Sequence, residues 1–285
     1  MCLEVCLRYK AEVRPGSDAL RFQVIVTTPR RPPAADIQEA VAVAGALGLG
    51  FEPRNAGLDE LASRCGASAV LVVSQRDRAI WLPDGTPAFR FHGGMAVLRI
   101  RRMIAGEIDP LVVACDLRPG DRVVDATAGA CADALVLAHA VGPEGSVLAL
   151  ESSPFLHAVT SFGVRTRRFG EEAIDAALDR MEVAQGPHLE LLASMPTASA
   201  DVVYFDPMFK SATKAPPGFE VLRALADYTP LTAEALREAR RVARRRLVVQ
   251  DRRGSGELER LGIPEAPVMG RTAPVRFGVL EVGSG

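Results

Sequence analysis

Apolar and polar positions follow two different patterns along this chain, and the change falls near residue 111. Before it, short apolar runs and a hairpin signal at Asp84-Gly85 predict strands, and helical spacing of apolar positions predicts two helices. The predicted strands are 22–27, 69–74, 80–82 and 88–91, and the predicted helices are 36–47 and 58–64. We therefore predict a small α/β domain over residues 21–92, preceded by a flexible tail at 1–20 and followed by a connecting helix within 93–110.

After residue 111, apolar runs alternate with helical stretches, a pattern typical of a parallel sheet with helices on both faces. The predicted strands are 122–126, 146–150, 181–184, 202–205 and 246–250, with a closing antiparallel pair at 267–270 and 275–282. The predicted helices are 132–140, a segment beginning near Pro154, and 232–242. We predict a doubly wound domain over 111–285, and such domains bind ligands beyond the carboxyl ends of their strands.

Composition narrows the class of protein. The 285 residues are 48% hydrophobic and 24% charged, as in ordinary globular proteins. No apolar run approaches the roughly 18 residues of a membrane helix, and the first residues do not have the pattern of a signal peptide. We therefore expect a cytoplasmic protein that does not enter a membrane. The five cysteines are scattered without a Cys-x-x-Cys pair, which argues against disulfides and structural zinc, and we expect no metal site.

Charge gives little direct indication of nucleic-acid binding. The net charge of −1 provides no overall attraction to a polyanion. Positive charge comes almost entirely from arginine, and the only lysines are Lys10, Lys210 and Lys214. Because of that bias, we expect most of the arginines in the clusters at 99–102, 165–168 and 237–246 to lie on solvated helix faces. The single tryptophan, Trp81, falls in the predicted hairpin, where a core or interface position is expected.

The first chemical motif spans residues 123–133, VVDATAGACAD. An apolar strand ends at Asp125, the chain turns through Gly129, and a helix follows. Glycine lets a ligand approach the backbone closely, and the free N–H groups of a helix N-terminus bind carboxylates. The motif predicts a ligand-binding turn, although an ordinary strand-to-helix turn has the same pattern.

The second motif is Glu151, an acidic residue that ends the next predicted strand roughly 20–25 residues after the glycine turn. A carboxylate there is placed to accept hydrogen bonds from both hydroxyls of a ribose. The two motifs alone would also fit a nicotinamide dehydrogenase, but the full Gly-x-Gly-x-x-Gly is absent. A surface glutamate before Ser152-Ser153-Pro154 is the other interpretation.

The third motif ends the apolar run DVVYF and consists of Asp206, Pro207, Met208 and Phe209. Asp206 and the carbonyl beside Pro207 can accept hydrogen bonds from an NH₂ group, which orients its nitrogen for in-line attack on a methyl donor. Phe209 can stack on a planar substrate. No strong base is required, because the nitrogen loses its proton after it gains the methyl group. The other interpretation is a strand followed by a proline-containing loop.

Together these motifs resemble ribosomal small-subunit methyltransferase J, a family of bacterial enzymes that methylate guanine N2 in 16S rRNA. The resemblance covers residues 91–282 and rests on the segments 125–129, 151–154 and 206–209, with support from Asp133, 91–94, 246–249 and 276–279. It implies an α/β fold with a Rossmann-like, seven-stranded class I methyltransferase domain, S-adenosylmethionine as cofactor, and rRNA as the partner. By position it implies cofactor contacts at Ala132, Asp133, Glu151, Ser152, Pro187, His188 and Asp206, in addition to Asp125, Ala126, Thr127 and Gly129 of the turn.

Two departures from the family bear on the substrate. Pro187-His188 replaces a pair of small hydroxyl residues, and we interpret His188 as a loop residue near the adenine rather than a proton shuttle. The family's basic loop is reduced to Lys210 and Lys214, and we hypothesise that these two lysines hold an RNA backbone. A methyltransferase of a small molecule or a protein amide, and a non-catalytic RNA-binding protein that retains the cofactor pocket, are the alternative functions.

Overall fold

The computed structural model describes residues 23–207, 225, 229–270 and 272–283, and two β-sheets organise this part of the chain. The tail predicted at 1–20 lies outside the described residues. The smaller sheet has one parallel pair at its edge, between its first two strands, and antiparallel pairs elsewhere. Its strands, in spatial order, are β1 (Val24–Thr27), β2 (Ala69–Val73), β3 (Arg78–Trp81) and β4 (Pro87–Arg90).

Two helices cover the small sheet on opposite faces, because successive side chains of a strand point to opposite sides. Helix α1 (Ala34–Leu47) packs on the face that contains Val26. Helix α2 (Leu58–Cys65) packs through Leu61 on the face that contains Ile25. Only the α1 face continues into the large hydrophobic core of the rest of the chain.

The larger sheet has seven strands and belongs to a doubly wound α/β arrangement. Its strands are β5 (Arg122–Asp125), β6 (Ser146–Glu151), β7 (Met181–Gln185), β8 (Ala200–Phe205), β9 (Ala243–Arg252), β10 (Glu265–Ala266) and β11 (Val275–Glu281). Their spatial order is β10-β11-β9-β8-β5-β6-β7, with β5 to β9 parallel and the last two strands antiparallel. The predicted fold class, a seven-stranded class I methyltransferase sheet with a small N-terminal α/β unit, is confirmed.

Eight helices of the described chain accompany this sheet. They are α3 (Gly94–Ile104), α4 (Pro110–Cys115), α5 (Ala132–Ala140), α6 (Pro154–Thr166), α7 (Glu172–Leu178), α8 (His188–Ser194), α9 (Ala233–Val242) and α10 (Glu257–Leu261). No helix in the described ranges is both long and apolar enough to cross a bilayer.

The two sheets meet where α6 packs against β3 and the end of β4. Arg78 of β3 donates a hydrogen bond to the Ala158 carbonyl at 3.1 Å, and its guanidinium lies 4.5 Å from the ring centroid of Phe162. Phe91 lies against Gly163 so closely that a Cβ on this glycine would be 2.4 Å from the phenylalanine Cβ. The α1 face of the small sheet therefore shares one hydrophobic core with the large sheet.

Some predicted elements differ from the structure. The predicted strand at 267–270 is wrong, because these residues form a turn and β10 instead covers the two residues before it. Pro267 has no N–H to donate to a sheet, and the Val268 N–H donates to the Ala266 carbonyl at 2.8 Å. Periodicity did not predict α4, α7, α8 or α10, since helices of five to seven residues make fewer than two turns.

Candidate active site

The chain changes direction in the large sheet between β5 and β8. From β5 it proceeds outward through β6 and β7, then returns to form β8 on the other side of β5. Such a switch point leaves a crevice beyond the carboxyl ends of the two central strands. Two hydrogen bonds close its base: the Ala126 N–H donates to the Tyr204 carbonyl at 2.8 Å, and the Asp206 N–H donates to Thr127 Oγ1 at 2.6 Å. The glycine turn and the Asp206 motif therefore share one crevice.

Glu151 organises the glycine turn from the end of β6. Its carboxylate is buried, with one oxygen accepting the Gly129 N–H at 2.8 Å and the other accepting the Ser153 N–H at 2.7 Å. Its carbonyl accepts the Gly186 N–H at 2.9 Å, which ties the end of β7 to the same edge. Each carboxylate oxygen has a second lone-pair direction, so a ribose hydroxyl would share an oxygen with a backbone donor.

The space beside Gly129 fits a ligand that approaches the backbone. Gly129 has a φ of 50°, in the left-handed region that favours glycine. A Cβ built on it would come no closer than 4.0 Å to another heavy atom, the Thr127 carbonyl oxygen. The turn therefore leaves an open cradle at the point where the family resemblance implies S-adenosylmethionine.

Two further carboxyl groups at this edge have raised pKa values. Burial, followed by the negative charge of Asp133, raises the pKa of Asp125 well above its ordinary value. The same two causes, in the same order, raise the pKa of Asp206 to about 7, while a hydrogen bond with Gln250 and the charge of Arg99 act in the opposite direction. Asp206 is thus able to change between a hydrogen-bond donor and an acceptor near neutral pH.

A hydrogen-bonded network under the crevice was not predicted from the sequence. Arg99 of α3 binds Asp109 through two nitrogens, at 2.7 Å each, and its third nitrogen binds Asp133. Tyr204 of β8 donates its hydroxyl to the other oxygen of Asp133 at 2.8 Å. Burial alone would lower the pKa of Arg99, but the bonds to Asp109 and Asp133 raise it overall. The network fixes Asp133 between α3 and β8, and a direct cofactor contact of this residue stays a prediction.

Several arginines of the clusters at 99–102 and 237–246 are held by other groups rather than solvated. Arg99 is only 24% exposed and is held by two carboxylates. Arg241 donates to the Met195 carbonyl at 2.7 Å, and Arg245 binds Asp121 at 2.7 Å. These arginines join elements that are distant in sequence, and their partners could not be identified from local spacing.

Pro187 and His188 lie at the carboxyl end of β7. Pro187 occupies the position before α8, and His188 is the first residue of that helix. The interpretation of His188 as a loop residue is therefore wrong, because the chain turns into a helix immediately after β7. The His188 ring meets the Phe205 ring edge to face, with 5.6 Å between centroids. Phe205 directly precedes Asp206, so this contact places His188 at the same edge of the sheet.

The structure places the predicted site residues that it describes at or next to the carboxyl edge of the large sheet. They are Asp125, Ala126, Thr127, Gly129, Ala132, Asp133, Glu151, Ser152, Pro187, His188, Asp206 and Pro207. The remaining four, Met208, Phe209, Lys210 and Lys214, lie outside the described residues.

A cavity of about 240 Å³ opens beside Asp206 on the side of β9 and β11. Its described lining includes Gln250 and Arg252 of β9 and Val275 of β11. The cavity and the cradle at Gly129 lie on different sides of Asp206, since β9 and β5 flank β8 on opposite sides.

Comparison with known proteins gives consistent results. A family model described as "Putative SAM-dependent methyltransferase" matches residues 84–279. YpiP of Bacillus subtilis (strain 168), an uncharacterized protein, is 32% identical over 258 residues, which are 90% of this chain and 99% of that protein. A crystal structure of a SAM-dependent methyltransferase from Neisseria gonorrhoeae superposes with a TM-score of 0.59 at 20% identity, covering 91% of this chain and 96% of that one, and has the same fold.

Two proteins described as ribosomal RNA small subunit methyltransferase J are also similar. The one from Halorhodospira halophila is 36% identical over 198 residues, covering 65% of this chain and 70% of that protein. The one from Rhodopseudomonas palustris (strain HaA2) is 34% identical over 142 residues, covering 49% of this chain and 62% of that protein. The resemblance inferred from the motifs is confirmed.

Proposed function

This chain belongs to the SAM-dependent methyltransferase family, and on that premise we propose that it methylates the exocyclic N2 amine of a guanine in ribosomal RNA. The observation that carries the proposal is the position of Asp206-Pro207, at the carboxyl end of β8 and hydrogen-bonded to the turn after β5. A motif suited to an amine substrate therefore adjoins the cofactor turn. The relatives described as rRNA methyltransferases support rRNA as the substrate class.

We assign the cofactor to the turn after β5 and to the end of β6. Glu151 holds the turn through both carboxylate oxygens, and we assign the ribose hydroxyls to the same carboxylate. When bound, S-adenosylmethionine supplies a methyl group on a positively charged sulfur. The other proposed cofactor contacts are Asp125, Ala126, Thr127, Gly129, Ala132, Asp133, Ser152, Pro187, His188 and Asp206.

Asp206 is the group that we assign to the amine. In its ionised form it accepts an N–H of the guanine amine and directs the nitrogen toward the methyl group. This nitrogen would accept the methyl group of S-adenosylmethionine, and the methylated nitrogen would then release a proton. A carboxylate with a pKa of about 7 is able to accept the proton that this nitrogen releases. The cavity on the β9 side of Asp206 provides room for the base.

The test is methyl transfer by the purified full-length protein. Small ribosomal subunits from cells that lack the gene are incubated with the protein and isotope-labelled S-adenosylmethionine, and the rRNA nucleosides are then separated by mass spectrometry. We expect label in N2-methylguanosine, and none when Asp206→Ala replaces the wild-type protein.

Each other outcome identifies a different function. Label in another nucleoside would retain RNA methylation but overturn the N2 assignment. Label in a small-molecule or protein fraction, with none in RNA, would overturn the rRNA substrate. Binding of S-adenosylmethionine without transfer to any fraction would favour the non-catalytic alternative.

A further inference from the structure

A second pocket, of about 390 Å³, lies on the α2 face of the small sheet and shares no lining residue with the candidate active site. We call it the Trp81 pocket. Arg30, in the loop after β1, and Arg54, just before α2, lie on its wall. Gly57 and the first turn of α2 border it, and Trp81 of β3 contributes its half-buried indole. Its volume falls in the range of about 300–1,000 Å³ that is usual for small-ligand sites.

Two of the three arginines that line the pocket, Arg30 and Arg54, have no carboxylate partner among the described residues. In the described part of the chain, neither Arg30 nor Arg54 forms an ion pair, and the buried Nε of Arg54 has no hydrogen-bond partner. Burial, and then the charge of Arg30, lower the pKa of Arg54, so the two guanidinium groups are close enough to repel each other. A buried donor without a partner calls for a bound water or ligand. Paired guanidinium groups are suited to an anion, and phosphate matches their planar geometry.

The lining holds three arginines and three aspartates, so its formal charges balance, and Arg30 and Arg54 differ from Arg90 in having no ion pair within the described ranges. Asp77 binds Arg90 at 3.1 Å, and Asp84 accepts the Thr86 N–H at 2.8 Å within the hairpin. Asp59, in the first turn of α2, is the remaining acidic side chain of the lining and is exposed to solvent. An anion on Arg30 and Arg54 would therefore share the pocket with two carboxylates, those of Asp59 and Asp84, that have no ion pair in the described chain.

The aromatic and apolar part of the lining is suited to a planar base. Trp81 packs with Val72 on the α2 face of the sheet, next to Leu58. An aromatic side chain can stack on any nucleobase, because every base has a π-face. Guanidinium groups and an aromatic ring in one pocket match a phosphate and a base, the two parts of a nucleotide.

A second, basic pocket beside the Trp81 pocket indicates that the ligand is a nucleic-acid chain rather than a free nucleotide. This pocket, of about 200 Å³, shares Asp77 with the Trp81 pocket and lies at the junction of the small sheet with α6. Arg76, Arg167 and Arg168 are on its wall. The two pockets meet at the turn between β2 and β3, so a chain that leaves the Trp81 pocket around this turn would reach Arg76 and Arg167 with its next phosphates.

We propose that the Trp81 pocket binds one nucleotide of a single-stranded RNA segment, with its phosphate on Arg30 and Arg54 and its base against Trp81. This inference rests on the proposed RNA substrate and gives the small sheet a role in holding that RNA outside the active site.

Intrinsic fluorescence tests the proposal directly, because Trp81 is the only tryptophan in the chain. The full-length protein is titrated with a single-stranded RNA oligonucleotide of mixed sequence and, separately, with AMP. We expect RNA to quench the fluorescence and the double variant Arg30→Ala/Arg54→Ala to bind it at least about tenfold more weakly. The log–log salt dependence should fall by about 0.7 for each phosphate that the double variant no longer neutralises. The exposed Arg237→Ala is the matched control and should leave the affinity unchanged.

Two further variants keep the test independent of the stability of the double variant. Asp59→Asn removes the exposed carboxylate and should tighten RNA binding severalfold. Trp81→Phe keeps a smaller aromatic ring and should weaken RNA binding, measured by the anisotropy of a labelled RNA. Neither variant should change the affinity for S-adenosylmethionine, since no residue of the pocket lies at the carboxyl edge of the large sheet.

The outcomes separate this inference from the proposed methylation. If anisotropy shows RNA binding but Trp81 is not quenched, or if the double variant binds RNA as well as the wild type, the assignment of RNA to the Trp81 pocket is overturned. The proposed methyl transfer to rRNA would still stand. If AMP binds as tightly as RNA, the assignment of the pocket to a nucleic-acid chain is overturned, and the pocket is assigned to a free nucleotide. Quenching that persists in Asp206→Ala, which lacks transfer, supports two separate sites. A protein that neither binds nor methylates RNA overturns both proposals.

Discussion

The two sheets place different side chains near the carboxyl ends of their parallel strands. In the seven-stranded sheet, Asp125, Glu151 and Asp206 lie at the ends of β5, β6 and β8, and backbone or side-chain donors bind each of them. In the four-stranded sheet, Arg30 follows β1, and no carboxylate in the described chain pairs with it or with Arg54. The ends of parallel strands provide the position of a site, whereas the side chains determine the charge of its ligand.

The two edges also differ in how far they are prearranged. The carboxylates are fixed by hydrogen bonds before any ligand arrives, and such fixed groups cost little reorganisation during a reaction. The arginine pair has an unsatisfied donor and mutual repulsion, which a bound anion would relieve. The first arrangement is suited to chemistry and the second to binding.

The largest expected effect is at Asp206. Asp206→Ala should reduce methyl transfer by about 100- to 1,000-fold, the loss that follows removal of one precisely oriented polar group in an active site. The matched control is Asp201→Ala, which changes an aspartate at the opposite end of the same strand. Single-turnover assays with rRNA give the rates. Turnover near the wild-type rate in Asp206→Ala would contradict the proposed role of this carboxylate in methyl transfer.

The next largest effect is on the stability of the fold, through the ion pairs that Arg99 forms beside the carboxyl edge of the large sheet. Arg99→Ala should lower the free energy of unfolding by about 2–3 kcal/mol, because it leaves Asp109 and Asp133 without their partner. This value is below that of a fully buried pair, since the Arg99 side chain is 24% exposed. Arg30→Ala is the matched control and should change stability by less than about 0.5 kcal/mol. Urea denaturation measures the free energy of unfolding of both variants. Equal losses of stability would contradict the proposed difference between the two sheet edges.

A smaller effect is expected at the cofactor turn. Glu151→Ala should weaken binding of S-adenosylmethionine by about 1–3 kcal/mol, because the ribose hydroxyls would no longer donate to a charged acceptor. Part of this loss would come from the Gly129 turn, which the carboxylate holds. Isothermal calorimetry measures the affinity, with the exposed Glu182→Ala as control. Unchanged affinity in Glu151→Ala would place the ribose elsewhere.

The smallest effect is a dependence on pH. The pKa of Asp206 is raised to about 7, first by burial and then by Asp133, and the proposed role requires the ionised form. We therefore expect kcat/KM to increase about tenfold per pH unit below pH 7 and to level off above it. Because the folded-state pKa lies above the unfolded value, this group favours the folded state at low pH and loses that contribution as pH rises through 7. A pH-independent rate between pH 6 and 8 would contradict the assignment.

The central part of the site could be predicted from the sequence because its signals are local. Continuous apolar runs marked the strands β5, β6 and β8, and acidic residues at their ends marked the edge where we place the candidate site. Helix α5 has the predicted bounds, since it begins directly after the glycine turn. In parallel sheets these ends must lie together, so sequence order alone indicated their proximity.

The rest depends on contacts between distant positions. Arg99 and Arg102 both lie on α3, three residues apart, yet only Arg99 reaches Asp109 and Asp133, which are 10 and 34 positions away. Their pairing is determined by how α3 packs on α5, which periodicity does not specify. The Trp81 pocket is similar, because the hairpin was predicted but its alignment with the loops that carry Arg30 and Arg54 was not.

The contact of Phe91 with Gly163 has a consequence for how the protein denatures. Since the small sheet and α6 share one continuous core, neither can lose its structure without exposing apolar surface on the other. Calorimetric heating should therefore produce one cooperative transition whose van't Hoff and calorimetric enthalpies agree. A fragment that begins after residue 92 would expose this surface to water and should aggregate rather than fold as a separable catalytic unit.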